Sequence, residues 1–388
     1  MIAGIMWVGN SLLFNWLDRI LVPAQAPGQT SKPTGTVWLL HSGGFYYVEK
    51  TLLAGEPLPR PLHWFKWQAY TTWLSGAALL VVVYYLSDRA VMTDPGAFEL
   101  SHAQANLAGI GAIIGGWALY ESMQRVVAPR APAVAATVWV TGLAAIAIAL
   151  TQILSGRAAF LHVGAMLGTI MAGNVAMTIV PSQRELVSSV AEGRGADATV
   201  SARAKRVSIH NNYFVFPVIA LMVISHYPVF YASPNNWLVL FLIGASGAGV
   251  RHAMNLRFTN RWWKPMLAGT IAAGAIALFT AIRLGSSAEP TLGGDSSVPV
   301  VFADVRHVID RRCTACHSGQ PSDLTFGAAP GGVTFDTPEQ IVARASRIHE
   351  RAVVTRTMPP ANKTKMTDAE RALLSRWISQ GPPLRPRQ

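Results

Sequence analysis

The chain has 388 residues, 51% of them hydrophobic and only 13% charged, with a formal net charge of +12. Its mean hydropathy is +0.31. Soluble domains carry about 25% charged residues, so an ordinary water-soluble globule is excluded. The positive charge does not point to nucleic acid either, because the basic residues lie between apolar runs rather than in one patch.

Apolar runs of about 20 residues, the length that crosses roughly 30 Å of hydrocarbon, fall near 68–87, 106–123, 134–153, 160–180, 209–226, 237–250 and 265–283. Segments 1–15 and 36–48 are ambiguous: the first begins inside an apolar run and the second is short. Met1-Ile2-Ala3-Gly4 lacks the charged start of a signal peptide and reads as a helix whose beginning is missing. The expectation is an all-α fold: a polytopic membrane domain of eight or nine helices over 1–284, the first truncated, followed by a small helical domain. Arg125 and Arg130, then Arg184, Arg194, Arg203, Lys205 and Arg206, then Arg251, Arg257, Arg261 and Lys264 fill alternate connections. The connection 227–236 has no formal charge, and 88–105 sets Asp88, Asp94 and Glu99 against one Arg. That alternation places the basic loops in the cytoplasm and sends 265–283 out to the opposite face of the membrane. Trp64, Trp67, Trp237, Trp262 and Trp263 lie at segment ends, as interfacial anchors do.

Residues 285–300, GSSAEPTLGGDSSVPV, read as a flexible linker. A linker of about 16 residues has an r.m.s. span of roughly 20–24 Å. Beyond it, 301–388 has the composition of a soluble domain. The chain's two cysteines, Cys313 and Cys316, stand in RRCTACHSG. C-x-x-C-H is the attachment signal of haem c: both thiols add to the haem vinyls, and His317 ligates the iron. Met358, in the extended Met-Pro-Pro segment, is the expected sixth ligand, with Met366 and His349 behind it. Core filling is the bland reading of each methionine. Thr367 and Glu370 form a capping box ahead of a helix whose stripe is Leu373, Leu374, Trp377 and Ile378. Haem c is attached outside the cytoplasm, which agrees with the charge pattern. The domain therefore belongs on the periplasmic side.

Four strings, GIMWVGNSLLFNWLDR, HSGGFYYVEK, LHWFKWQAYTTWLSG and HNNYFVFPVIALMVISHYP, resemble the membrane-bound bacterial urate oxidases that carry a fused C-terminal cytochrome c. The resemblance covers nearly the whole chain. It implies a class I-like cytochrome c domain and oxidation of urate to 5-hydroxyisourate without peroxide. Electrons would leave through haem c to a terminal cytochrome oxidase or a soluble cytochrome c.

Polar groups inside spanning helices are costly and are the first functional suspects. Near the basic face these are His63, Lys66, His210, Asn211, Asn212, Arg251 and His252, candidates for substrate binding and catalysis. Urate needs a cation or oriented donors, carboxamides for its edges and an aromatic face, and its oxidation needs a base. Near the other face lie His102, His162 and His226; His41 and Glu49 depend on whether 36–48 crosses, and Glu121 interrupts an apolar run. His210 and His226 are 16 residues apart, about 24 Å along a helix, so they serve different sites. A haem b ligated by two histidines is an open alternative for one cluster, because urate gives two electrons and haem c takes one at a time. The bland readings are headgroup contacts for single histidines, topology for Arg251, and capping by Asn211 and Asn212 of a helix starting near Tyr213. Two rivals remain: a quinol-linked membrane cytochrome b/c, and a membrane anchor that tethers a cytochrome c shuttle.

Overall fold

A computed structural model describes residues 1–22, 32–53, 57–86, 92–93, 100–194, 197–233, 235–286, 299–323 and 328–381. Asp88, Asp94, Glu99 and most of the expected linker lie outside the described residues. The chain is mostly helical. In order, the bundle contains α1 (Ile2–Ile20), α2 (Lys66–Leu80), α3 (His102–Ser122), α4 (Pro132–Ile153), α5 (Gly156–Asn174), α6 (Val180–Ala191), α7 (Ala198–Ile224), α8 (Pro228–Tyr231), α9 (Asn236–Asn255) and α10 (Trp263–Ser286). Five stretches are long and apolar enough to cross a membrane: Pro132–Ile153, Gly156–Ala191, Ala198–Ile224, Asn236–Phe258 and Trp263–Arg283.

One expectation is corrected. Segment 36–48 is not a helix, so the fold is not purely α: Lys32–His41 (β1) and Gly44–Leu52 (β2) pair antiparallel. Ser42 and Gly43 turn the chain with φ of 49° and 75°, the doubly positive geometry of a two-residue hairpin turn. Apolar and aromatic residues flank that turn, and Trp38 meets Tyr47 across the strands at 4.9 Å. The face carrying Trp38, Leu40, Phe45 and Tyr47 is exposed. His41 and Glu49 therefore belong to an exposed hairpin and not to a spanning segment.

The helices begin where the sequence supplies caps. Ser101 and Gln104 form a capping box at α3, Ser155 caps α5 through the Ala158 N–H, and Asp197 caps α7 through the Thr199 and Val200 N–H groups. Because α7 starts at Ala198, Asn211 and Asn212 lie mid-helix and cap nothing.

The centre of the bundle is α5, which packs against α2, α3, α4 and α7, while α9 packs on α7 and α10 on α9. Burial follows that order: 56% of the central window is enclosed, against 6% for α10 at the edge. Two close approaches tighten it. A Cβ on Gly109 of α3 would stand 2.5 Å from His162 Nε2, and one on Gly247 of α9 would stand 2.9 Å from the backbone nitrogen of Pro217. Wide π-helical turns follow α2 (Val81–Tyr85), α3 (Met123–Val127) and α5 (Val175–Ile179). Pro181 lies just past the last of these and cannot donate to the preceding turn, a sufficient cause for the irregularity.

The C-terminal module contains α11 (Phe302–Arg312), α12 (Pro338–Ala343), α13 (Ala345–Ile348) and α14 (Asp368–Ser379). It has its own core, with Ile309, Ile341, Leu374 and Trp377 almost fully enclosed. The expected Thr367–Glu370 capping box is present, with Glu370 N–H on Thr367 Oγ1 at 3.2 Å and Thr367 N–H on Glu370 Oε2 at 2.7 Å.

Candidate functional site

Three consecutive residues of α7 address three different neighbours. Successive side chains on an α-helix are about 100° apart, so a triplet sweeps more than half the circumference. His210 turns to α3 and α4: its Nδ1 lies 2.8 Å from Tyr120 Oη, and its ring packs 5.5 Å from Trp139. Asn211 turns to α5, accepting from Asn174 Nδ2 at 2.8 Å and donating to Met171 O at 3.1 Å. Asn212 turns to α9, where its Oδ1 accepts from Arg251 Nε at 2.8 Å and Asn255 Nδ2 at 3.0 Å. The triplet is thus the polar hub of the basic end. Arg251 is buried, and its guanidinium lies over the Phe216 ring at 5.9 Å.

Tyr120, Trp139 and Asn174 were not anticipated as site residues, because each is a single polar group inside an apolar run. Asn174 in IMAGNVAM was the available signal: a carboxamide in hydrocarbon-length sequence. The Tyr120 ring packs 5.3 Å from Trp139 and 6.4 Å from Phe214. Its hydroxyl accepts from Asn174 Nδ2 at 3.1 Å, so its own proton is free to go to His210 Nδ1. That arrangement places the His210 proton on Nε2, a tautomer assigned from the network.

A charged layer lies beside this cluster. Glu121, nearly buried, pairs with Arg125 and with Arg203, the latter at 2.9 Å, and Arg206 donates to Gln124 at 3.1 Å. Glu121 is therefore an ion-pair partner tying α3 to α7. The other candidates of this face stand apart. His63 is exposed beside an open groove of about 620 Å³ lined by residues that include Arg60, Leu62 and Trp64, and Lys66 sits over the Trp64 ring at 5.6 Å. His252 is exposed and bonds Tyr213 Oη at 2.7 Å.

At the opposite end His162 is completely enclosed. Its Nδ1 donates to Ala158 O at 2.7 Å and its Nε2 accepts from Tyr85 Oη at 3.1 Å. His102 reaches only Asn106, at 3.5 Å, and His226 is exposed in the turn after α7. Both nitrogens of His162 are thus engaged, with Gly109 pressed against Nε2.

In the C-terminal module, α11 ends at Cys313. The Cys316 and His317 N–H groups both bond Cys313 O, at 3.2 and 2.9 Å, gathering the three residues in one turn. Neither cysteine is in a disulfide; Cys316 Sγ donates to Asp323 Oδ2 at 3.6 Å, and burial pushes the Cys313 thiol up to about 12. His317 Nδ1 donates to Val333 O at 2.9 Å, leaving Nε2 without a hydrogen-bond partner among the described residues. Two thiols outside any disulfide and an imidazole open at Nε2 form a donor set that suits covalent haem. Met366 is core, and His349 Nε2 lies 3.5 Å from Ser375 Oγ. Met358 is half-buried, and its backbone is held by Arg351 O and by Arg371 Nη1, the latter at 3.0 Å. Among the described residues no group of three or more His, Cys, Asp or Glu could hold a metal ion.

The fold is thus a helical bundle with five stretches long and apolar enough to cross a membrane, joined to a small helical module that carries the C-x-x-C-H sequence. Residues 1–282 match the family model described as urate oxidase, N-terminal, and the chain belongs to that family. Comparison with curated proteins and with solved structures gave no match.

Proposed function

We propose that the chain is an inner-membrane oxidoreductase that converts urate to 5-hydroxyisourate and exports the electrons through haem c. The observation that carries this reading is the join: a urate oxidase family domain over 1–282 in the same chain as Cys313, Cys316 and His317. The reaction balances as urate plus water giving 5-hydroxyisourate, two protons and two electrons. The bundle's basic end, with the His210 hub, is the substrate end. The other end carries the periplasmic module, which follows from the alternation of basic and non-basic connections. Arg125, Arg203 and Arg206 create a positive potential that favours an anionic purine at that end. Tyr120 and His210 share one hydrogen bond and form the proton-handling pair, shifting a proton between Oη and Nδ1 as substrate N–H groups are lost. Cys313 and Cys316 would hold the haem, and His317 and Met358 would ligate its iron. When bound, haem c supplies a one-electron acceptor of raised potential that a respiratory oxidase or soluble cytochrome c can reoxidise.

The test is a spectrum of the purified full-length chain with and without urate, without oxygen. Reduction of c-type haem by urate, and urate turnover without peroxide when an acceptor is added, is expected. Stoichiometric peroxide, or an unreduced haem, would overturn the reading. Reduction by quinol in preference to urate, with abundant b haem, would favour a quinol-linked cytochrome instead.

A further inference from the structure

Buried polar atoms in native structures are almost always hydrogen-bonded, and each exception calls for an explanation. Two exceptions fall on side chains that touch Tyr120: the Trp139 indole Nε1 and the Asn174 carboxamide Oδ1. Both side chains are at least nine-tenths enclosed, Trp139 at 9% exposure and Asn174 at 1%. The Asn174 oxygen is not an arbitrary choice of amide orientation. Asn211 donates to Met171 O and so presents its oxygen to Asn174, which must answer with Nδ2. Tyr120 Oη, committed to His210, takes the other Nδ2 proton. The acceptor of Asn174 is thereby left over. A wide π-helical turn begins at the next residue, an irregularity frequent at functional sites.

From these atoms we propose that Trp139, Asn174 and His210 form the recognition site for a planar cyclic ureide, seated against the Tyr120 ring. The proposal rests on the urate reading above and deepens it by naming the atoms that read the substrate. Trp139 Nε1–H and His210 Nε2–H are donors for ring carbonyls or an anionic ring nitrogen, and Asn174 Oδ1 accepts a ring N–H. The Tyr120, Trp139 and Phe214 rings meet edge to face beside these atoms, apolar surface of the kind on which a flat heterocycle packs. This donor-rich pattern selects 2,6-dioxopurines. An aminopurine turns an exocyclic N–H toward a donor and leaves buried groups unpaired, a mismatch that sites of this kind reject strongly. Asn106 Oδ1, at the opposite end of the bundle, is also buried without a partner, and serves as the internal control.

The experiment uses the full-length, haem-loaded chain in detergent, with xanthine as a probe that keeps both six-ring carbonyls and lacks the 8-oxo group. Xanthine is expected to bind reversibly and to compete with urate, and adenine is not. Trp139→Phe, which keeps an aromatic ring and loses the donor, should weaken xanthine binding by roughly 5- to 100-fold. Asn174→Asp, which puts a carboxylate where the ring N–H is read, should weaken the anionic substrate more. Asn106→Leu should bind as the unaltered chain does. Helical content and the dithionite-reduced haem spectrum report folding of each variant. Unchanged xanthine affinity in a folded Trp139→Phe chain, or loss in Asn106→Leu instead, overturns the proposal while urate-driven haem reduction stands. A chain that urate neither binds nor reduces removes the functional reading itself.

Discussion

The two halves of the molecule organise their chemistry in opposite ways. In the C-terminal module the reactive groups Cys313, Cys316 and His317 lie within five residues, gathered by two backbone bonds to one carbonyl. In the bundle the Tyr120, Trp139, Asn174 and His210 side chains come from four helices, α3, α4, α5 and α7. A local motif survives wherever its turn forms. A distributed site exists only while helix packing holds four helices in register, which is why α5, carrying Asn174, is the most enclosed of the spanning stretches. The contrast makes different demands: the module must hold a reactive loop rigidly, and the bundle must keep polar atoms apart from one another and ready for a ligand.

The comparison breaks most sharply at His317. His317→Ala should abolish urate-driven reduction of the module, leaving urate and xanthine binding by the bundle intact. A variant that still passes electrons at the original rate would mean that the module is not the exit. The next largest effect falls on the bundle. Tyr120→Phe keeps the ring that packs on Trp139 and deletes the hydroxyl between Asn174 and His210. The turnover number should fall about 10²-fold, the scale of a lost proton-transfer group, with a smaller change in KM. An equal rise in KM at constant turnover would assign Tyr120 to binding alone.

Between these sits a stability effect confined to the module. Arg371 is buried at 4% exposure. It donates to Ala352 O, to Met358 O at 3.0 Å and to Asn362 Oδ1 at 3.3 Å, so it staples the Met358 loop to α14. Arg371→Leu removes these three bonds, Asn362 Oδ1 keeping the Met366 N–H at 2.8 Å, and should cost about 3 kcal/mol. Thermal unfolding followed at the haem band should show an earlier module transition, with the bundle's transition unmoved. A shift of both would mean that the two regions unfold as one.

What was legible in the sequence follows the same divide. The Cys313–His317 turn, the Thr367–Glu370 cap and the long apolar runs are local patterns, and each could be read from neighbouring residues. The hairpin at 36–48 was left ambiguous because a short apolar run does not distinguish helix from strand by length. Ser42-Gly43-Gly44 between Val-, Leu- and aromatic-rich flanks is the turn signal there. The His210-Asn211-Asn212 triplet was visible as odd, but not its fan-like reach to three neighbours. That depends on which helices surround α7, and the partners Tyr120, Asn174 and Arg251 lie 90, 37 and 39 residues away from the residues they bond.

The smallest effect sharpens the comparison through acid, because the module's motif loop is tied by carboxylates. The Ser318 hydroxyl and the Gly319 N–H hold the Asp336 carboxyl below its usual range. At Glu370, partial burial acts upward, but the Thr367 N–H and Arg312 outweigh it and hold the carboxyl down. A carboxyl whose folded pKa is depressed stabilises the fold above its unfolded pKa, about 4, and that stability is lost as pH falls through the folded value. The module should therefore keep its melting temperature from pH 7 to about 5 and lose it progressively below about 4. Asp336→Asn should flatten part of that acid slope while keeping the Gly319 N–H bonded. A slope unchanged in Asp336→Asn would locate the acid sensitivity in the Arg312–Glu370 pair, which ties α11, and with it the start of the haem motif, to α14.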